Sequence, residues 1–194
     1  ANKIATLDPA GIGIEMEADK PAWCDSVNGL PALIGSSLSE VLELARLAKF
    51  LKTAFSDAAG VSVPAELASF ISGLTKLISK DSASSDRNKN FRYWDKSNAL
   101  KEKYRAETRL GVTGKEKLLE KEDAVKFLAL CLEKLEDGVK RGCDGTGVPY
   151  TYFVNDLRSP GKGRALPPVS SRPLPLFLEA PVHAQFGQPF EFGR

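Results

Sequence analysis

Between Leu38 and Val139 apolar side chains return every three or four residues, and that spacing limits what the chain can fold into more than any other feature. Leu38, Val41, Leu42, Ala45, Ala48, Leu51 and Phe55 fall on one helical face, with Ser37 or Ser39 placed to cap and Glu40 or Glu43 near the first turn; a helix is expected over 38–56. Asp57 to Val63 breaks the pattern around Gly60, and Pro64 then opens a second helix over 65–80 through Leu67, Phe70, Ile71, Leu74 and Ile78. Residues 81–90 are polar throughout and read as an exposed connection. The segment 95–110 carries only Ala99, Leu100, Tyr104 and Leu110 as a thin apolar stripe, the mark of a surface helix. Between Gly114 and Gly142 the clearest pattern appears: Leu118, Val125, Leu128, Leu132, Leu135 and Val139 share a face, which predicts one long amphipathic helix ended by glycine.

The two ends differ from this middle. Residues 1–36 are rich in Gly, Pro and Asp and read as a loop, apart from the alternation Ile12, Ile14, Met16, which suits one strand. After Gly142 come a turn cluster at 143–147, a strand over Tyr150–Val154 and seven prolines from Pro160 onward, where regular helix is expected to stop. The run Leu174–Pro181 is too apolar for free solvent and is expected to dock on a core or a neighbour, with His183 as a loop histidine. The expected organisation is one mainly α region: a loop over 1–36, helices over 37–142, and a strand with an extended Pro-rich tail over 143–194.

Composition removes several function classes. Lys and Arg number 27 against 25 Asp and Glu, and a balance of +2 gives no dense basic face for nucleic acid. No apolar run reaches the roughly 20 residues of a membrane helix, and the N-terminal residues lack the order of a signal peptide. Cys24, Cys131 and Cys143 are odd in number and widely spaced, which suits reduced thiols in a cytoplasmic compartment. A single histidine leaves no His-rich metal site, and no metal is expected. Lys140 and Arg141 beside Gly145 and Gly147 lack the order of a phosphate loop and read as a helix-end turn. Phe91, Tyr93 and Trp94, set among Arg87, Lys89, Arg92 and Lys96, have the parts to stack a base or sugar; anchoring a loop is the preferred reading.

The stretch with most chemistry precedes the first helix. Trp23, Asp25, Ser26 and Asn28 lie close together, stiffened by Pro21 and Pro31 and loosened by Gly29. An indole offers a flat apolar face to a pyranose ring, and Asn and Ser bond hydroxyls. A carboxyl beside an indole is desolvated, so its pKa rises and it can donate a proton near neutrality. The same residues also suit a packed indole beside a turn-forming or helix-capping aspartate. Glu15 and Glu17 are the nearest carboxyls in sequence; on a strand over 12–17 they share a face, and both read as exposed or structural strand-end charges.

The run Trp23-Cys24-Asp25-Ser26-Val27-Asn28, followed by Gly35-Ser36-Ser37-Leu38-Ser39-Glu40-Val41 opening a helix, resembles the catalytic loop of cellobiose phosphorylase and its relatives among the (α/α)6-barrel glycoside phosphorylases. Their Trp-Asn-Asp-Gly-x-Asn motif holds the catalytic aspartate. The likeness spans about residues 12–52; Cys24 stands for the usual Asn, Ser26 for the usual Gly, and Pro21-Ala22 where Gly-Asp is common. It implies a portion of a helical toroid, since four predicted helices are too few for a complete one. It further implies Asp25 as general acid, Trp23 as a sugar-ring neighbour and Asn28 as a hydroxyl or loop contact. The reaction implied is inverting phosphorolysis of a β-glucoside or oligosaccharide, with inorganic phosphate as co-substrate and no cofactor. The family's phosphate-binding positions find no match in this chain. The expected partners are the oligosaccharide, phosphate, and the remainder of the barrel or a second copy of the chain. An inverting hydrolase of the same architecture, or a helical interaction module without catalysis, are the alternatives.

Overall fold

The helix expected over 38–56 is α1 (Leu38–Ser56), and it buries Leu38, Val41, Leu42, Ala45 and Ala48, all members of its apolar face. The computed structural model describes residues 1–15, 35–84, 86, 88–156 and 170–186. The start of α1 departs from expectation. Ser37 occupies the N-cap position, yet its hydroxyl and that of Ser39 are buried without a hydrogen-bond partner. The first helical amide, Leu38 N–H, instead donates to the carbonyl of Thr151 at 2.8 Å, so a neighbouring segment satisfies the helix end.

α2 (Ala65–Ser82) follows Pro64, and α3 (Lys89–Thr108) begins before the predicted position, so the polar connection between them is shorter than 81–90. Local polarity predicted solvent there; a partner distant in sequence overrides it. Asp81 turns inward, and its carboxylate accepts from Lys134 Nζ at 2.7 Å, with side chains only 8% and 5% exposed. The Lys134 ammonium also lies 4.0 Å from the centre of the Tyr93 ring.

The long helix expected from Gly114 is split. Glu116–Glu120 form β4, antiparallel to β3 (Gly60–Pro64) in a register running from Gly60 opposite Glu120 to Pro64 opposite Glu116, and α4 (Lys121–Arg141) starts only afterwards. Val61 and Val63, β-branched and alternating with Ser62, supply a strand that periodicity of 3.6 cannot reveal, and Leu118 drops off the helical stripe to stand 54% exposed. α4 buries Ala124, Phe127, Leu128, Cys131, Leu135 and Val139.

A second sheet gathers the two ends of the chain. β1 (Ile14–Glu15), β2 (Gly35–Ser37), β5 (Tyr152–Asp156) and β6 (Ser170–Pro173) pair in that order, each antiparallel to its neighbour. Helix does not stop at Gly142: Glu179–Phe186 form α5, held by Thr151, whose hydroxyl donates to Phe177 O at 2.7 Å and accepts from Ala180 N–H at 3.2 Å. The expected docking of the apolar tail is carried by Ala180 and Ala184, whereas Leu176, Phe177 and Leu178 stay exposed. His183 therefore sits on a helix and not in a loop, with Nδ1 2.7 Å from Glu43 Oε1.

The result is mainly helical. α1 packs along α4, α2 along α3 and also against α4, and α5 lies beside α1. A short 3-10 turn, Lys3–Thr6, docks on α3, where Tyr93 O–H donates to Ile4 O at 2.8 Å and Ser97 O–H to Ala5 O at 3.1 Å. Both residues anchor the N-terminal segment, and of the two Tyr93 belongs to the aromatic cluster for which an anchoring role is expected. Leu7, Leu38, Leu74, Ile78 and Leu135 are fully buried at the centre, each stabilising the fold by about 1.5–3 kcal/mol relative to exposure. No helix among the described residues is long and apolar enough to cross a membrane.

Gly138 lets α4 cross the N-terminal segment closely, because a Cβ there would stand 2.6 Å from Gly11 O. Gly138→Ala gains about 1 kcal/mol of helix propensity and loses about 1–3 kcal/mol to overpacking against backbone that has little room to yield. Urea unfolding is expected to show net destabilisation for Gly138→Ala, and no clash penalty for Gly145→Ala, where nothing lies within 4 Å.

Candidate functional site

Trp23, Cys24, Asp25, Ser26 and Asn28 lie outside the described residues, as does Glu17. The structure does describe the stem that this segment leaves and re-enters. β1 ends on Glu15 and β2 begins on Gly35, and their register places Ile14 opposite Ser37 and Glu15 opposite Ser36. Glu15 and Gly35 thus lie at the same end of the β1–β2 pair, and β2 runs directly into α1.

The stem is held from beneath by Asp8, which is fully buried. Its Oδ1 accepts from Ile12 N–H at 2.9 Å, and its Oδ2 from Gly13 N–H at 3.1 Å and Ser36 O–H at 2.6 Å. Asp8 N–H donates to Gly13 O at 2.8 Å and Gly11 N–H to Asp8 O at 2.8 Å, so residues 8–13 close into a tight turn. That turn needs glycine twice: Gly11 has φ +67°, and at Gly13 a Cβ would stand 2.5 Å from Ser36 Oγ. Burial pushes the Asp8 pKa up, against the pull of Ser36, the two amides and the Arg141 guanidinium. Arg141 clamps the turn to α4, donating from Nη1 to Ala10 O at 2.7 Å and from Nη2 to Gly11 O at 2.9 Å.

Of the two readings of Glu15, exposed or structural, the structure has the structural one: only 8% of the residue is accessible. Its Oε1 accepts from Trp94 Nε1–H on α3, and the Trp94 ring lies 5.4 Å from that of Phe91. Burial raises the Glu15 pKa to about 7; the Trp94 bond and Lys101 pull it down, and the Asp8 carboxylate adds to the rise. A carboxyl half-protonated near neutrality can give or take a proton, and this one sits in the last described position before the Trp-Cys-Asp-Ser-Val-Asn segment.

The sequence reads Glu15 as an exposed or structural strand-end charge and does not single out Asp8. The signal for Asp8 was present in Asp8-Pro9-Ala10-Gly11, whose residue types favour a turn closed by an aspartate side chain. Nothing local marked Glu15 for burial, because its cover comes from Trp94, distant in sequence. Elsewhere, Cys131 and Cys143 are free thiols, and burial pushes the Cys131 thiol up to about 12, which leaves it unreactive at neutral pH. Among the described residues no cluster of three His, Cys, Asp or Glu side chains is placed to hold a metal ion. No protein-family model matches the chain, and no curated protein matches it.

Because the folded pKa of Glu15 lies above its unfolded value, its contribution to stability is fully present below pH 4.5 and is lost as pH rises through about 7. The loss for this group is on the order of 3 kcal/mol. Glu15→Gln is expected to flatten that part of the stability profile. Trp94 fluorescence, followed in a Trp23→Phe background, is expected to titrate near pH 7 with Glu15 present and to lose that titration in the Glu15→Gln variant.

Proposed function

We propose that the chain is part of an (α/α)6 toroid that performs inverting phosphorolysis of a β-glucoside or oligosaccharide. The observation that carries this reading is the resemblance of Trp23-Cys24-Asp25-Ser26-Val27-Asn28 to the catalytic loop of the glycoside phosphorylases. The described flanks support it: Glu15 of β1 and Gly35 of β2, which bracket 16–34 in sequence, lie at the same end of the β1–β2 pair, and Asp8 holds Ser36 there through its hydroxyl. A rigid base is what a general acid requires, because small errors of placement are expensive in rate.

In the proposed reaction the protonated Asp25 carboxyl gives its proton to the glycosidic oxygen as the bond to the anomeric carbon breaks. A phosphate oxygen attacks that carbon from the opposite face, and the products are a sugar 1-phosphate of inverted configuration and the shortened saccharide. Trp23 packs on the apolar face of the sugar ring and Asn28 bonds a hydroxyl or braces the loop. Glu15 favours a second reading. A buried carboxyl titrating near 7 is poised to act as the base of an inverting hydrolase, which would activate water across a gap of about 6.5–9.5 Å from the acid.

Added phosphate separates the two. Phosphorolysis predicts release of sugar 1-phosphate that depends on phosphate concentration; hydrolysis predicts free sugar without it. Asp25→Asn is expected to lower kcat by about 10²–10⁴-fold with an unchanged circular dichroism spectrum. Turnover undiminished in Asp25→Asn, or no turnover of any β-glucoside by the wild-type chain together with its neighbouring domains, overturns the enzymatic reading and leaves a helical interaction module.

A further inference from the structure

We propose that the cleft between the end of α2 and the start of α3 binds a phosphate-sized oxyanion, at a place separate from the stem of the 16–34 segment. The cleft has a volume of about 70 Å³, space for a few waters or one tetrahedral group but not for a sugar ring. Lys80, Asp81 and Ser84 line it from α2 and the residues just after it, and Arg92 and Lys96 from α3; Leu77 and the buried Tyr93 complete its wall.

The charges around the cleft do not balance. Asp81 is committed to Lys134 behind the wall, at 2.7 Å, and Arg92 is paired with Asp86 while reaching Ser84 Oγ at 3.3 Å. Lys80 and Lys96 form no ion pair among the described residues. Among the described residues, the cleft is lined by Lys80, Arg92, Lys96 and Asp81; Lys134 pairs with Asp81 and Asp86 with Arg92 from outside it, which leaves two positive charges uncompensated around a small concave space. A dianion with several acceptor oxygens answers both the charge and the donors: two ammonium groups, a guanidinium and the Ser84 hydroxyl. The end of α2 offers little opposition. The carbonyls of Ser79 and Asp81 already accept from Ala83 and Ser84 amides at 3.3 and 3.0 Å.

This site is not the phosphate of the proposed reaction. Trp94 carries α3 toward Glu15, whereas Arg92 and Lys96, two positions to either side, point to the opposite face of the helix. The chemistry is that of a phosphate or sulfate group, free or as the terminal phosphate of an ester.

The test is thermal unfolding of the wild-type chain and of a Lys80→Gln/Lys96→Gln double variant, titrated with sodium phosphate, glycerol 3-phosphate, and sodium chloride at matched ionic strength. Both lysines are exposed, so the variant should fold, which circular dichroism checks. A saturable rise in Tm with phosphate but not chloride, and about a tenfold or greater loss of apparent affinity in the variant, is expected. An equal response to glycerol 3-phosphate assigns the site to phosphate esters, and a response to inorganic phosphate alone assigns it to the free ion. A phosphate response no larger than that to chloride, or one identical in the double variant, overturns the proposal. Failure to detect sugar 1-phosphate release leaves it standing, since the readout needs no turnover.

Discussion

A carboxyl group with no access to water must find donors inside the protein, and Asp8 finds them in a way that orders everything around it. Two amides from its own turn and one hydroxyl from β2 converge on its two oxygens. Removing the carboxylate would leave three buried donors unpaired, each at about 1–3 kcal/mol. The turn it closes presents Ala10 and Gly11 carbonyls to Arg141, directs Ile12 and Ile14 into the core, and aligns β1 with β2. The N-terminal residues, the end of α4 and the strand that enters α1 are thereby fixed relative to one another through two side chains, Asp8 and Arg141.

A second buried polar group ties the helices from the other side. Lys134 joins Asp81 of α2, donates to Asn90 Oδ1 at 3.3 Å and lies over the Tyr93 ring of α3, so one α4 side chain engages both α2 and α3. Burial lowers the Lys134 pKa, and the Asp81 bond and charge work against that shift. Such a pair adds little stability over a well-packed apolar replacement, yet losing one partner costs about 3–5 kcal/mol.

Where an element's own residues face the core, the sequence revealed it; where the cause lay elsewhere in the chain, it did not. α1 and α2 stand where the apolar period placed them, since Leu38, Val41, Leu42 and Ala45, and Phe70, Leu74 and Ile78, bury one face each. β4 was hidden, because Glu116–Glu120 pairs with β3 and its side chains are mostly exposed, so its strand character resides in backbone bonds to Val61 and Val63. α5 was hidden among prolines, and it is secured by Thr151 and by Glu43 through His183. At the candidate site the turn chemistry of Asp8 was legible, whereas the burial of Glu15 depends on Trp94. Trp23, Asp25 and Asn28 remain known by sequence alone.

The turn and the acid are not independent. Asp8 supports the stem mechanically, and its charge also raises the pKa of Glu15, while Lys101 lowers it. A protonated Glu15 can rest in its apolar surroundings with one oxygen on the Trp94 indole at little desolvation cost; an ionised one keeps that bond but must endure both burial and the neighbouring carboxylate. With its pKa raised to about 7, Glu15 changes charge near neutral pH directly beside the Trp94 indole of α3. Burial is the main cause of the raised Glu15 pKa and the Asp8 carboxylate adds the smallest contribution, so a substitution at Asp8 acts on the hydrogen bonds of the turn first and on the Glu15 proton only secondarily.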